Sequence, residues 1–323
     1  MTRRTRAFIL LAGWALCPAL ALGQGAGLPG KTVQIIVPNP PGGGPDFIAR
    51  LIAPRLREAL GQNVIVDNRP SNNGIVGAEF LARAVPDGSI IGFGNTGTHA
   101  INATLYKKLP YDPVRDFAAI SELAIATIVL VANPKLAANS VKELIAEAKS
   151  APGKLNIAIA GATGEIAGNA FKLQAQIEMN NVNYKGGGPA VIAIISGEAH
   201  MTLTNYTAVA AQVEAGRLKL LGVTGARRSA QLPHVPTFAE NGLDGYDFAI
   251  WYGLFAPAKV PAAVVQALYR EAARIINLPE IKERLVATGH EVVASTPEQF
   301  SDKVKREVEK YRRIILESGM QQE

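Results

Sequence analysis

Cysteine is almost absent from this chain of 323 residues, because Cys17 is the only one. A single cysteine excludes an intrachain disulfide and a metal site built from several thiolates. Cys17 is interpreted as an apolar filler of an N-terminal hydrophobic stretch. The alternative, attachment of a lipid after cleavage, is disfavoured because Leu16 stands where a small residue would be needed.

Catalytic signatures are also missing. The sequence has no G-x-S-x-G, H-E-x-x-H or G-x-x-x-x-G-K pattern. Its four histidines, His99, His200, His234 and His290, are scattered. The sequence therefore predicts no enzyme, no metal site and no cofactor. The alternative that stays open is a hydrolase or isomerase that pairs His99 with Asp46, and it would need an oriented nucleophile or base.

Charge is nearly balanced, and long basic blocks are lacking. The formal net charge is +6, and three of the positive charges belong to Arg3, Arg4 and Arg6 at the N-terminus. Without a basic stripe the chain has no electrostatic footprint for nucleic acid. We therefore expect no nucleic-acid partner.

What the sequence does contain begins with an export signal. The three arginines precede an uncharged apolar stretch, Phe8–Leu22, and small residues come before Gln24. This pattern predicts a secretory signal peptide over residues 1–23, cleaved near Gly23, and a periplasmic protein. An uncleaved anchor and twin-arginine export are the alternatives.

Strand and helix patterns alternate along the rest of the chain. The order βαβαβ from Val33 to Phe93 predicts a parallel sheet covered on both faces. An apolar run at 124–131 leads to a second α/β unit. Capping boxes are predicted at Ser140 and Thr296, where a side chain at each end of a four-residue motif bonds the other's backbone N–H. Two Rossmann-like lobes with a hinged cleft follow from this pattern.

Two glycine-rich loops each stand between a predicted strand and a helix. The first is PPGGGPD at 40–46, in which Asp46 can cap the helix, and the second is GATGE at 161–165. Helix N-termini expose unpaired N–H groups that favour a carboxylate or phosphate, so the two loops predict an anion clamp. Tight turns without a ligand are the alternative. Glu165 stabilises the first turn of its helix or, in the other interpretation, favours a solute that carries an amine.

A third glycine-rich segment matches the dinucleotide pattern G-x-G-x-x-G at Gly92–Gly97. The segment that follows is too short for the helix and second strand of a nucleotide fold, and it reaches Pro110 early. We interpret it as a loop whose backbone lies close to the cleft. Trp251 and Tyr252 are interpreted as core residues, with a place in the hinge or in the pocket wall as the alternative.

Several segments together resemble the Bug-type substrate receptors of tripartite tricarboxylate transporters. They include PPGGGPD at 40–46, DNRPSNNGIVGAEFLARAVPDG at 67–88, RRSAQLPHVPTFAENGL at 227–243 and WYGLFAP at 251–257. The resemblance implies a type II periplasmic binding protein fold in which residues 29–127 and 251–323 form one lobe and residues 128–250 the other. It also implies a monomeric receptor that delivers a small carboxylate to a permease of large and small membrane subunits.

The resemblance also implies a set of ligand-binding positions. They are Gly43, Gly44, Asp46, Thr96, Thr98, Gly161, Thr163 and Asn205. Some positions around the predicted pocket depart from the family pattern. Asn39 stands where an aromatic residue is usual, Pro45 replaces Thr or Ser, Tyr206 replaces an aliphatic residue, and the second-lobe loop is about two residues short. The identity of the solute therefore cannot be transferred from the family to this chain. Docking to a sensor protein instead of a permease stays open.

Overall fold

The computed structural model describes Gly30 and residues 32–184 and 186–320. The predicted signal peptide, residues 1–23, lies outside the described residues. Among the helices in the described ranges, none has both the length and the apolar character needed to cross a membrane.

Two β-sheets organise the chain. The first contains β1 (Thr32–Val37), β2 (Asn63–Asn68), β3 (Ile90–Asn95), β4 (Phe117–Ala126), β10 (Ile250–Pro257) and β11 (His290–Val292). The second contains β5 (Ile128–Ala132), β6 (Asn156–Ala160), β7 (Asn180–Tyr184), β8 (Met201–Asn205) and β9 (Lys219–Val223). Their strand orders are β11-β4-β10-β3-β1-β2 and β7-β6-β8-β5-β9. We call them the six-stranded and the five-stranded sheet.

Helices cover these sheets and connect their strands. They are α1 (Gly44–Leu60), α2 (Ile75–Ala82), α3 (Asn102–Leu105), α4 (Val141–Ser150), α5 (Gly161–Ala175), α6 (Gly187–Ser196), α7 (Tyr206–Glu214), α8 (Ala262–Ile276), α9 (Pro279–Ala287) and α10 (Pro297–Glu317). Short 3₁₀ turns lie at Asn72–Gly74 and Ala239–Asn241, and a π-helical turn lies at Gly97–Ile101.

The predicted parallel arrangement is confirmed for the first three strands, since β1 pairs in parallel with β2 and β3. The whole sheet is nevertheless mixed. Strand β10 returns from the five-stranded half of the chain and pairs antiparallel with both β3 and β4. The βαβαβ pattern of residues 33–93 carries no information on a strand that arrives so much later in the chain.

The apolar run at 124–131 is divided between the two sheets at Thr127. Strand β4 ends just before this residue and β5 begins just after it. The backbone N–H of Thr127 donates to the carbonyl of Gly289 (3.1 Å), and its carbonyl accepts from Tyr206 (2.9 Å). Thr127 thus has partners outside both sheets, and the chain crosses from one half to the other here.

The capping box at Thr296 is confirmed, since Thr296 and Gln299 each accept the other's backbone N–H. Of the two hydrogen bonds predicted for the capping box at Ser140, one is confirmed and the other is wrong. The Ser140 hydroxyl accepts from the N–H of Glu143, but the Glu143 carboxylate accepts from Asn139 instead of Ser140. The glutamate reaches the unpaired N–H one residue before the cap.

Helix α10 packs across both halves of the molecule. It contacts β4 of the six-stranded sheet and α5 of the five-stranded half. Its residues Phe300, Tyr311 and Ile315 are fully buried in an apolar cluster that also contains Trp251 and Phe171. This continuous core links the two halves on the side of α10.

Candidate functional site

Two adjoining cavities lie between the sheets. The first has a volume of about 330 Å³ and is lined mainly by the loops after β1 and β3. The second has a volume of about 210 Å³ and is lined by the ends of β6 and β8 and the starts of α5 and α6. Thr163 and Ile250 line both cavities, so together they form one cleft.

The N-termini of four helices meet this cleft. Gly44 begins α1, Thr163 and Gly164 lie in the first turn of α5, and Gly187 begins α6. Asn205 precedes α7 and also lines the second cavity. Each N-terminus carries unpaired N–H groups and a partial positive charge, so the cleft favours an anionic group.

The described residues of the cleft wall carry no formal charge. Among the described residues that line either cavity, none is Lys, Arg, His, Asp or Glu. Tyr252 can ionise, but burial raises the pKa of its phenol to about 12. An acid in the cleft would therefore be held by backbone and side-chain dipoles.

The two cavities differ in character. The polar lining residues of the first include Asn39, Asn73, Asn95, Thr96 and Tyr252. The apolar lining residues of the second are Ile128, Ala160, Ala167, Leu203, Phe248 and Ile250. The second cavity thus suits the carbon skeleton of a solute, with polar groups at Thr163, Thr204 and Asn205.

Gly43 and Gly44 both line the first cavity, whereas Asp46 acts behind them. Asp46 is buried, and its carboxylate accepts from the backbone N–H of Gly42 (2.8 Å) and from Nε of Arg50 (2.9 Å). Burial alone would raise the pKa of Asp46, but these hydrogen bonds, with one from Asn68, hold it below its ordinary value. Asp46 therefore positions the glycine loop.

Thr96 lines the first cavity, but its hydroxyl is already used. Its Oγ1 donates to the carbonyl of Ala249 (3.1 Å) and accepts from the N–H of Trp251 (3.0 Å). Thr98 is buried, and its hydroxyl accepts from the N–H of Asn95 (3.0 Å). Thr96 can therefore offer backbone groups to a solute, and Thr98 shapes the loop that carries Asn95.

In the five-stranded half, Gly161 begins α5 and Thr163 stands at the junction of the two cavities. Asn205 lines the second cavity, and its Oδ1 is buried without a hydrogen-bond partner in the described part of the chain. Glu165 is not among the described lining residues of either cavity, and it interacts electrostatically with Lys172. The interpretation that Glu165 attracts an amine thus finds no support in the geometry.

His99 and Asp46 do not form a catalytic pair. His99 is fully buried, its Nδ1 lies 2.9 Å from the Thr98 hydroxyl, and its ring centroid is 4.1 Å from that of Phe255. Burial lowers the pKa of His99 to about 3, so the ring is neutral at physiological pH. The Asp46 carboxylate already accepts hydrogen bonds from Gly42 and Arg50.

Within the described ranges, no group of three or more His, Cys, Asp or Glu side chains is placed to hold a metal ion.

Asn39, Asn95 and Tyr252 all line the first cavity, although the predicted ligand-binding positions include none of them and Asn39 was placed around the pocket only as a departure from the family pattern. Asn95 ends β3 and Asn39 follows β1, and the carboxyl ends of parallel strands are where open α/β sheets bind ligands. That rule is the signal that could have found them. Tyr252 was predicted to be core, and it is both buried and a wall of the first cavity.

Three concavities larger than either cavity lie elsewhere among the described residues. One of about 930 Å³ runs along α1 and β2, one of about 570 Å³ lies beside the end of α5 and the start of β7, and one of about 440 Å³ is lined by residues that include Thr127 and Ala249. Volume alone does not mark a binding site. The cleft between the sheets is the better candidate, because the strand ends and the helix N-termini converge on it.

Comparison with known proteins gives consistent likenesses. The family model described as "Tripartite tricarboxylate transporter family receptor" matches residues 48–320. A protein encoded in the tcbD-tcbE intergenic region of Pseudomonas sp. is 35% identical over 292 residues, which cover 90% of this chain and 87% of that protein.

Solved structures of similar proteins support the same family assignment. A Rhodopseudomonas palustris protein solved with adipate is 32% identical, with a TM-score of 0.75, and the match covers 90% of this chain and 98% of that one. MatC of the same organism, solved with bound malate, is 27% identical, with a TM-score of 0.72, and the match covers 89% and 99%. The likeness to these and other solved binding proteins confirms the two-lobed α/β fold predicted from the sequence.

Proposed function

The chain belongs to the family of tripartite tricarboxylate transporter receptors, and from that premise we propose that it captures a small organic carboxylate for a transporter of this type. One observation carries the proposal. Four helix N-termini meet at a cleft whose described wall has polar dipoles and no formal charge. Such a site favours an anion without an ion pair.

The solutes of the solved relatives support an acid as the ligand. One relative was solved with adipate and another with malate, and both are dicarboxylates. The cleft of this chain offers polar groups at the first cavity and apolar walls at the second. A small acid with a short carbon skeleton fits both features.

The proposed lobes are residues 29–127 with 251–323 and residues 128–250. They would close on the solute by a hinge motion at the two crossings, near Thr127 and Ala249. Gly43, Gly44, Thr96, Gly161, Thr163 and Asn205 are the proposed ligand-binding positions. Asp46 and Thr98 are proposed to support them from behind.

The proposed setting is the periplasm, reached through the signal peptide at 1–23. The proposed partners are the large and small membrane subunits of a permease, met by a monomeric receptor. A sensor protein is the alternative partner. Pulldown from membranes that contain the permease, with and without a bound acid, distinguishes the two.

A thermal-shift screen tests the binding proposal. Ligands that bind the native state raise the melting temperature, so we expect malate, adipate, citrate or a related acid to raise it. Calorimetry then gives the affinity, and product analysis checks that the acid is not converted. A rise with neutral sugars and with none of the acids would contradict the proposal.

A further inference from the structure

A chain of hydrogen bonds ends at Asn39 on the wall of the first cavity. The chain starts at the backbone N–H of Thr98, which donates to Oδ1 of Asn95 (3.0 Å). Nδ2 of Asn95 then donates to Oδ1 of Asn39 (3.0 Å). Both asparagines line the cavity, where Asn95 is buried and Asn39 half-buried.

This chain fixes which way each side-chain amide points. Oxygen and nitrogen of an asparagine amide are nearly indistinguishable by shape, so their assignment depends on the partners. A backbone N–H can only donate, and therefore the atom of Asn95 that faces Thr98 is its oxygen. Asn95 must then donate from its NH₂ group to Asn39, and Asn39 must accept with its side-chain oxygen.

The backbone of Asn39 is held in the same way. Nη2 of Arg50 donates to Oδ1 of Asn68 (2.8 Å), and a guanidinium has no acceptor. Asn68 therefore turns its NH₂ group away from Arg50 and donates it to the backbone carbonyl of Asn39 (3.2 Å). Arg50 is in turn held by Asp46. Asn39 is thus fixed at its backbone and at its side-chain oxygen.

The side-chain NH₂ group of Asn39 is the group that these hydrogen bonds do not use. In the described part of the chain, Nδ2 of Asn39 has no hydrogen-bond acceptor, and the residue lies on the cavity wall. We propose that Asn39 determines specificity by donating from Nδ2 to a carboxylate oxygen of the solute. This assignment rests on the proposed function and narrows it to acids that present an acceptor, and not an ammonium group, to the first cavity.

Replacement of Asn39 by Asp tests the donor. The new carboxylate can still accept from Asn95, but it has no N–H group and its charge repels an acid. For malate and adipate we expect the affinity measured by calorimetry to fall by about 100-fold, as for the loss of a charge-assisted bond with added repulsion. We expect an unchanged melting temperature without ligand.

Replacement of Asn95 by Asp tests the direction of the chain while Asn39 stays intact. A carboxylate at position 95 can only accept, so Asn39 must turn its NH₂ group towards it and its oxygen towards the cavity. We expect weaker malate binding and a smaller preference for malate over aspartate, which differs from malate by an ammonium in place of a hydroxyl.

Asn68→Asp serves as the control, because it disturbs the backbone anchor of Asn39 without reversing its amide. Wild-type affinity for malate and adipate in both the Asn39→Asp and the Asn95→Asp variant would overturn the assignment and leave the proposed function standing. If the wild-type protein binds none of the acids, the proposed function fails and the role of Asn39 fails with it.

Discussion

Gly43 and Gly44 are neighbours in the loop after β1, yet their surroundings differ. A Cβ atom added to Gly44 would lie 2.8 Å from Cζ and Oη of Tyr252, which is closer than packed atoms tolerate. A Cβ atom added to Gly43 would have the Pro40 carbonyl oxygen as its nearest neighbour, at 3.5 Å. Only the second glycine is needed for close packing.

This difference gives a matched pair of variants. In Gly44→Ala the Tyr252 ring, which lines the first cavity, must shift away from the new methyl group, so we expect acid binding to weaken about tenfold or more. Gly43→Ala keeps the backbone N–H and is expected to lose clearly less affinity. Calorimetry with malate or adipate compares the two. Equal losses would show that the glycines serve only the flexibility of the loop.

The sequence predicted the loops that form the cleft, but it could not predict how each side chain is used. Pattern and spacing place Asp46 and Thr98 beside the glycines and Thr96. The structure turns their side chains to backbone N–H groups of the loops, at Gly42 and Asn95. Asn39 became informative only when its partners across the sheet, Asn95 and Asn68, were known.

At the scale of elements, a buried ion pair joins α10 to β4. Lys303 of α10 pairs with Glu122 of β4, whose side chain is 4% exposed. Burial raises the pKa of Glu122, and the positive charge of Lys303 opposes that rise. The pair therefore depends on both partners.

Removal of the lysine alone should destabilise the protein. In Lys303→Met the Glu122 carboxylate stays buried without its cation, and we expect a loss of about 2–3 kcal/mol in the free energy of unfolding at pH 8. The loss should shrink at pH 5, because a carboxyl with a raised pKa takes up its proton more readily in the folded state. Urea unfolding at both pH values measures it.

The double variant Glu122→Gln with Lys303→Met is the control, because it removes both charges. We expect it to recover most of the lost stability. A double variant as unstable as the single one would assign the effect to lost packing of the lysine stem.

The elements themselves were largely predictable, and their long-range partners were not. Periodicity located β1 to β3 and the helices between them, because short-range patterning decides those elements. The division of the apolar run at Thr127 depends on Gly289 and Tyr206, which are distant in sequence. The antiparallel course of β10 has the same cause.

At the scale of the whole molecule, the halves are linked in two different ways. The chain crosses between the sheets at Thr127 and again between β9 and β10, and α10 packs against elements of both halves. The cleft lies between the sheets, with Gly44 on one side and Gly187 on the other. This arrangement suits closure about the crossings.

Closure can be measured in solution. We expect saturating malate or adipate to reduce the radius of gyration in small-angle X-ray scattering, because a solute that contacts both halves favours the closed form. The Asn39→Asp variant at the same acid concentration should show a smaller change. An unchanged radius with calorimetrically proven binding would contradict the hinge.

The lack of formal charge among the described residues of the cleft wall has a consequence for the conditions under which the receptor binds its solute. At physiological salt, mobile ions screen the attraction between exposed charges over a distance of about 8–10 Å. They act weakly on dipoles that contact the solute at hydrogen-bond distance. The affinity for the solute would therefore change little between low and high ionic strength. Among the described residues that line it, none titrates near neutrality, so acidification would act mainly through the protons that the captured acid itself takes up.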